Sequence, residues 1–149
     1  MPMVVCRTGA KGYGVMTTKT ILKGSFVCSY VGEYISEDDL QKQEARKLKA
    51  LAKNSSDFVT YAFQIHEGTD DYNIDSEYVG NVARFFNHSC APNMKPVKVC
   101  TGMKYPTMAF FALRRIEAGE ELTWKYVSGT KRRSGQKCHC NSPECIGYV

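Results

Sequence analysis

The sequence predicts a mainly β domain with one helical insert and a small metal knuckle at its C-terminus. Three observations carry that reading. Short apolar runs, rich in β-branched and aromatic residues, recur with glycines and polar turns between them. One stretch, residues 36–53, has helical composition and a helix-start signal. Three of the seven cysteines fall within eight residues near the C-terminus.

The strands come first. "YGVMTT" and "GSFVCSYVGEYI" read as strands joined by glycine-containing turns. The helix follows: "SEDDLQKQEARKLKALAK" opens on Ser36 with Asp39 three residues on, a capping-box variant. Acids occupy its first turn and lysines its last. Leu40, Leu48, Leu51 and Ala52 lie near one face, giving a modestly amphipathic surface helix. "FVTYAFQI", "YNID" and "YVGNVARFF" again read as strands, with a polar turn over residues 67–71. "MKPVKV" and "MAFFAL" flank a loop containing Pro106 and read as a hairpin. "EAGEELTWKYV" is a turn followed by a strand. Residues 128–137 are polar and basic, a linker by composition, and residues 138–149 form the cysteine-rich tail.

At 149 residues the chain suits one domain with a working core. Its apolar fraction of 43% and charged fraction of 23% argue against a disordered chain. No run approaches the roughly 18 uncharged apolar residues of a membrane span. The N-terminus, "MPMVVCRTGAKG", lacks a basic-then-apolar signal pattern, so a cytosolic or nuclear chain is expected. In a reducing compartment seven cysteines do not imply a disulfide framework. Metal ligation, packing or catalysis must account for them. The net charge of +5 is unevenly spread. Basic residues gather in "ARKLKALAK" and "KRRSGQK", which read either as solvated faces or as contacts for nucleic acid. Acids gather in "HEGTDDYNIDSE", which reads either as a solvated acidic loop or as a contact for a cationic peptide.

Cys138, Cys140 and Cys145 are spaced C-x-C-x4-C. A structural zinc takes four tetrahedral ligands, usually sulfur or imidazole nitrogen. The tail offers three sulfurs, so the fourth ligand is His139 or a residue elsewhere. His139, between two ligating cysteines, is awkwardly placed. Cys90, in "GNVARFFNHSCAPN", is the better candidate and would anchor the tail to the body of the domain. Cys6, Cys28 and Cys100 have no neighbouring cysteine, and Cys28 reads as a buried hydrophobe.

Four stretches then carry a resemblance: "KGYGVMTTKTILKGSFVCSYVGEYI", "GNVARFFNHSCAPN", "AGEELTWKY" and "CHCNSPECIG". In this order and spacing they resemble the SET-domain lysine methyltransferases with a cysteine-rich post-SET tail. The resemblance covers about residues 9 to 147. "PTMAFFALRRIEAGEELTW" is similar to the heterochromatin subclass, which acts on lysine nine of a histone tail. The resemblance implies a β-rich SET, or β-clip, fold in which "FFNHSC" threads a loop closed near "ELTWKY", a pseudoknot. It implies a SET domain over residues 1–127, the basic linker 128–137 and a post-SET zinc tail over 138–149.

The implied reaction transfers a methyl group from S-adenosylmethionine to a lysine amine, with one structural zinc ion. The substrate would be a histone tail or another basic protein, and the setting nuclear chromatin. The resemblance makes Tyr126 the active-site tyrosine, Tyr61 a second channel tyrosine and Tyr30 a third. Trp124 falls where the number of methyl groups accepted is tuned, and as a residue without a hydroxyl it should behave like Phe and admit di- or trimethylation. Cofactor contacts fall on Lys11, Gly12 and Tyr13 through their backbone turn, on Tyr61, Arg84 and Phe85, and on Asn87 and His88, the latter largely through its backbone. His139 would stand in for an aromatic adenine cover that residues 127–137 lack. Lys125 replaces the acid usual before the active-site tyrosine, and no pre-SET cysteine cluster precedes the domain. Two other readings compete: a catalytically silent SET module that binds peptide or cofactor, and a zinc-knuckle nucleic-acid binder using "KRRSGQK". The second leaves the Asn-His pair and the tyrosines without a role.

Overall fold

A computed structural model describes residues 2–51, 61–67, 70–100, 102–126 and 137–149. In chain order its strands are β1 (Met3–Arg7), β2 (Tyr13–Thr17), β3 (Phe26–Tyr30), β4 (Glu33–Ile35), β5 (Ala62–Glu67), β6 (Asp70–Asp75), β7 (Asn87–His88), β8 (Met94–Val99), β9 (Thr107–Ala112) and β10 (Thr123–Trp124), with helix α1 (Glu37–Leu51) after β4. The mainly β class with one helix is as expected. Contacts divide the chain into two units, Met1–Ser29 with Phe85–Val149, and Tyr30–Arg84.

In the first unit β1 and β2 form an antiparallel hairpin, Val5 opposite Val15. The sequence reading did not assign β1, whose Val4 and Val5 lie exposed and show no buried alternation. A three-stranded sheet runs β3-β9-β8. Pro96 sits in β8, where an edge position tolerates a residue with no N–H to donate. β9 supplies the core with Met108, Ala109, Phe110 and Ala112, all buried. Burial of a side chain the size of Met108 or Phe110 stabilises the fold by about 1.5–3 kcal/mol. β7 and β10 pair in parallel, Asn87 beside Thr123 and His88 beside Trp124. This brings the "FFNHSC" and "ELTWKY" segments side by side. The tail closes on itself through a bridge between Lys137 and Tyr148 and a hydrogen bond from Cys138 N to the Gly147 carbonyl, 3.0 Å.

The second unit holds the antiparallel sheet β4-β6-β5 and helix α1. The helix starts as the capping signal predicts: the Asp39 N–H donates to Ser36 Oγ at 3.2 Å and that hydroxyl donates to Asp39 Oδ2 at 2.7 Å. Gly32 is required by close approach, since a Cβ there would lie 2.4 Å from the Asp75 carbonyl oxygen. "YVGNVARFF" departs from expectation. Its centre, Val82–Phe85, is a turn of 3-10 helix and not a strand. Asn81 is the cause: its side chain accepts from Ala83 N at 3.2 Å and its carbonyl from Arg84 N at 3.3 Å, closing a local turn that competes with a sheet ladder. The basic segment "KRRSGQK", except Lys137, lies outside the described residues, as does most of the 128–137 linker. Among the described residues no helix is long and apolar enough to cross a membrane.

Candidate active site and metal centre

In the first unit, aromatic residues of β9 and β10 and of the segments just before β7 and after β10 converge. Phe86 and Phe110, both almost fully buried, meet edge to face at 5.1 Å, and Phe110 meets Trp124 at 5.5 Å. On this base the Phe86 carbonyl oxygen receives two donors. Trp124 Nε1–H reaches it at 3.3 Å and the Tyr126 hydroxyl at 2.9 Å. The Trp124 and Tyr126 rings lie 4.7 Å apart, tilted by 48°. Parallel pairing of β7 with β10 sets the register, with Ser89 N donating to the Trp124 carbonyl at 3.0 Å. Asn93, buried, braces the same stretch: its amide donates to the Glu121 carbonyl at 2.8 Å and its oxygen accepts from Thr123 N at 2.9 Å. Tyr126 keeps 38% of its surface exposed, enough to meet a ligand.

A second cluster gathers at the turn before β2. Thr8 N donates to the Gly12 carbonyl at 2.8 Å, and Gly9 and Gly12 both hold positive φ, which a residue with a Cβ resists. The Asn87 amide lies 3.0 Å from the Tyr13 carbonyl, 2.9 Å from Glu121 Oε1 and 3.3 Å from Thr8 Oγ1. Lys11 pairs with the other oxygen of Glu121. Tyr13 meets Phe85 edge to face at 6.2 Å. A Cβ on Gly14 would lie 2.7 Å from atoms of Asn87, Glu121 and Thr8, so this close gathering depends on glycine. The predicted turn Lys11–Tyr13 thus comes together with Phe85 and Asn87.

Tyr61, Tyr30 and Arg84 belong to the second unit. The Arg84 guanidinium lies over the Tyr61 ring, 4.0 Å from its centre. Tyr30 is only 6% exposed, and its hydroxyl donates to the Tyr61 carbonyl. Burial pushes the Tyr30 phenol up to about 12.

The three cysteines predicted from spacing and Cys90, the favoured fourth ligand, meet in space. Sγ atoms of Cys90, Cys138, Cys140 and Cys145 all lie within 4.8 Å of one another, and Cys90 and Cys138 are 3.9 Å apart. Zinc–sulfur bonds of about 2.3 Å in a tetrahedron place sulfurs about 3.8 Å apart. The quartet therefore fits one zinc ion. Burial pushes Cys138 up to about 12. At Cys140 burial also opposes ionisation, but the backbone N–H groups of Cys90 and Ser142, with the neighbouring thiols, outweigh it and bring the thiol down to about 6. His139 is exposed and stands outside the quartet.

His88 joins the two regions of the first unit. Its ring is buried, Nδ1 accepts from Tyr126 N at 3.0 Å, and Nε2 lies 3.5 Å from Cys90 Sγ. Burial first, and the charge of Lys125 second, lower its pKa. The sequence reading did not name Glu121 or the Phe86 carbonyl as parts of the site. Glu121 stands inside the "ELTW" motif, which was the available signal. A backbone carbonyl leaves no signal in a sequence.

Comparison with known proteins agrees with this arrangement. The SET domain family matches residues 12–127. The chain is 37% identical over 145 residues to the human histone-lysine N-methyltransferase EHMT1, covering 93% of this chain and 10% of that protein. It is 33% identical over 156 residues to the Xenopus tropicalis histone-lysine N-methyltransferase SUV39H2, covering 93% of this chain and 37% of that one. The crystal structure of the methyltransferase domain of human histone-lysine N-methyltransferase SETMAR superposes with a TM-score of 0.85 at 28% identity, covering 98% of this chain and 56% of that chain. The chain thus spans a minor part of these curated relatives. With the motifs, the strand pairing and the sulfur quartet in one arrangement, the chain belongs to the SET-domain family.

Proposed function

We propose that this chain is a protein lysine methyltransferase that carries a methyl group from S-adenosylmethionine to a lysine amine of a histone tail, lysine nine being the leading candidate. The observation that carries the reading is the convergence of Tyr126 and Trp124 on the Phe86 carbonyl, beside a β7 whose Asn87 reaches the glycine turn. Names of the similar proteins, which are histone-lysine N-methyltransferases, support the histone substrate and a nuclear setting.

Bound S-adenosylmethionine would supply a methyl group on a positively charged sulfur. The gathering at Gly14 fits its polar amino-acid end: the glycine turn presents backbone groups, and Asn87, its amide turned toward Glu121 and Tyr13, presents its oxygen. The Tyr126 proton is directed at Phe86, so the phenol meets the incoming amine as an acceptor. The amine must be neutral to attack, whereas free lysine has a pKa of about 10.4. An apolar wall such as Trp124, backed by the buried Phe110, disfavours its charged form. The remaining contribution is alignment of nitrogen, carbon and sulfur. For the second unit, taken by itself, the resemblance proposes Tyr61 and Tyr30 as channel tyrosines, with Arg84 on the Tyr61 ring and the Tyr30 hydroxyl holding the Tyr61 backbone.

Incubation with radiolabelled S-adenosylmethionine and recombinant histones tests this. Label on a histone tail with the wild type and none with Tyr126→Phe is the expected result. Cofactor binding without transfer would show a silent module, and salt-sensitive oligonucleotide binding alone would show a nucleic-acid binder.

A further inference from the structure

We propose that His88 acts through its side chain as a positioning residue, tying the metal ligand Cys90 to the backbone of Tyr126. The resemblance accounts for His88 only through its backbone. The structure shows both ring nitrogens engaged. Nδ1 accepts from the Tyr126 N–H at 3.0 Å, so in the neutral ring it carries no proton. The proton is then on Nε2, which faces Cys90 Sγ at 3.5 Å. A cysteine that ligates a cation is a thiolate, a good acceptor for that N–H. The same ring packs edge to face against the Tyr126 ring, 5.3 Å between centres at 73°. Cys90 in turn lies 3.9 Å from Cys138, so a continuous line of contacts runs from the tail to Tyr126.

The consequence is that occupancy of the sulfur quartet and placement of Tyr126 are linked by one imidazole. Outer hydrogen bonds of this kind orient a metal ligand, and their loss typically weakens metal affinity 10- to 100-fold. The link has two ends that separate cleanly. His88→Asn sets an oxygen near the Nδ1 position and removes the Nε2 donor. His88→Gln sets an amide near the Nε2 position and removes the Nδ1 acceptor.

The catalytic consequence rests on the proposed methyltransferase function, so the experiment reads each contact without activity as well. The chain is loaded with Co2+ in place of zinc and release to a chelator is timed, while amide exchange at Tyr126 is followed by NMR on the zinc-loaded chain. His88→Asn should release metal about 10-fold faster, with a shifted thiolate-to-cobalt band, and keep Tyr126 N–H protected. His88→Gln should hold metal close to the wild-type rate but lose Tyr126 protection, and with metal in excess its kcat should fall about 10-fold at unchanged cofactor KM. Either contact unmoved by its own variant, or both readouts lost together in both variants as for a packing residue, overturns the inference. A wild type that transfers no methyl group would instead count against the proposed function, and the release and exchange rates would still decide the role of His88.

Discussion

The hydroxyl of Tyr126 donates to the carbonyl oxygen of Phe86 at 2.9 Å. This bond sets the phenol's direction and makes its oxygen an acceptor. Tyr126→Phe keeps the ring and removes that oxygen. Methyl transfer is expected to fall by about 10²-fold or more, measured as kcat. Stability should change by no more than about 1 kcal/mol, since the residue is partly exposed. Unfolding of the variant by denaturant at wild-type midpoints, together with wild-type kcat, would remove Tyr126 from the mechanism.

Trp124 shares the Phe86 carbonyl with Tyr126 through its indole N–H. With no hydroxyl to hold a blocking water against the amine, it is expected to allow di- or trimethylation. Mass spectrometry of a histone-tail peptide after long incubation checks this. Monomethyl product alone refutes it.

The sulfur quartet predicts one zinc per chain, with Cys90 as the ligand outside the tail. Cys90→Ser should lower both zinc stoichiometry and protection of the tail thiols. Because binding energy at such a site is folding energy for the segment that closes it, chelation should unfold the tail first. Circular dichroism of the β-rich body should then change little while thiol reactivity rises. Retention of a four-sulfur-bound zinc in Cys90→Ser would disprove the assignment.

Two glycines separate stability from binding. At Gly32 an added methyl meets the backbone oxygen of Asp75, which cannot yield. Gly32→Ala should destabilise by about 1–3 kcal/mol or more. At Gly14 the methyl meets side-chain atoms of Asn87, Glu121 and Thr8, which can move aside. Gly14→Ala should therefore cost less stability but displace Asn87, seen as a raised KM or Kd for S-adenosylmethionine. Equal melting shifts with unaltered cofactor affinity would contradict this division.

Tyr30 predicts an alkaline limit. Its folded pKa is raised to about 12 from 10.0, chiefly by burial. Its contribution is therefore fully present below pH 10 and is lost as pH rises toward the folded value. The slope is about 1.4 kcal/mol per pH unit. Tyr30→Phe removes the ionisable group, so chemical denaturation from pH 9 to 12 should show a shallower loss in the variant. Parallel curves for the two proteins would show that Tyr30 does not titrate as described.

Much of the fold was legible because it rests on local chemistry. The Ser36 cap and the hairpin around Pro106 act over a few residues, and they appear as read. The turn at Val82–Phe85 was misread because Asn81 redirects the backbone with its own side chain, and apolar composition cannot show that. β1 was missed because its valines face outward and its pairing comes from β2.

By itself the sequence determined the mainly β class, the capped helix, the family motifs and the three tail sulfurs, because each depends on residue type and spacing; it favoured Cys90 over His139 as the fourth ligand, and the fold brought Cys90 to the tail. Only tertiary structure decided that Phe86 offers its carbonyl to two aromatic donors, that Glu121 joins Lys11 to Asn87, and that His88 touches Cys90 and Tyr126 at once. Those contacts join residues 34 to 110 positions apart in all but the Cys90 pair. Which donor finds which acceptor across such distances is set by where strands pair, and spacing in the chain does not encode it.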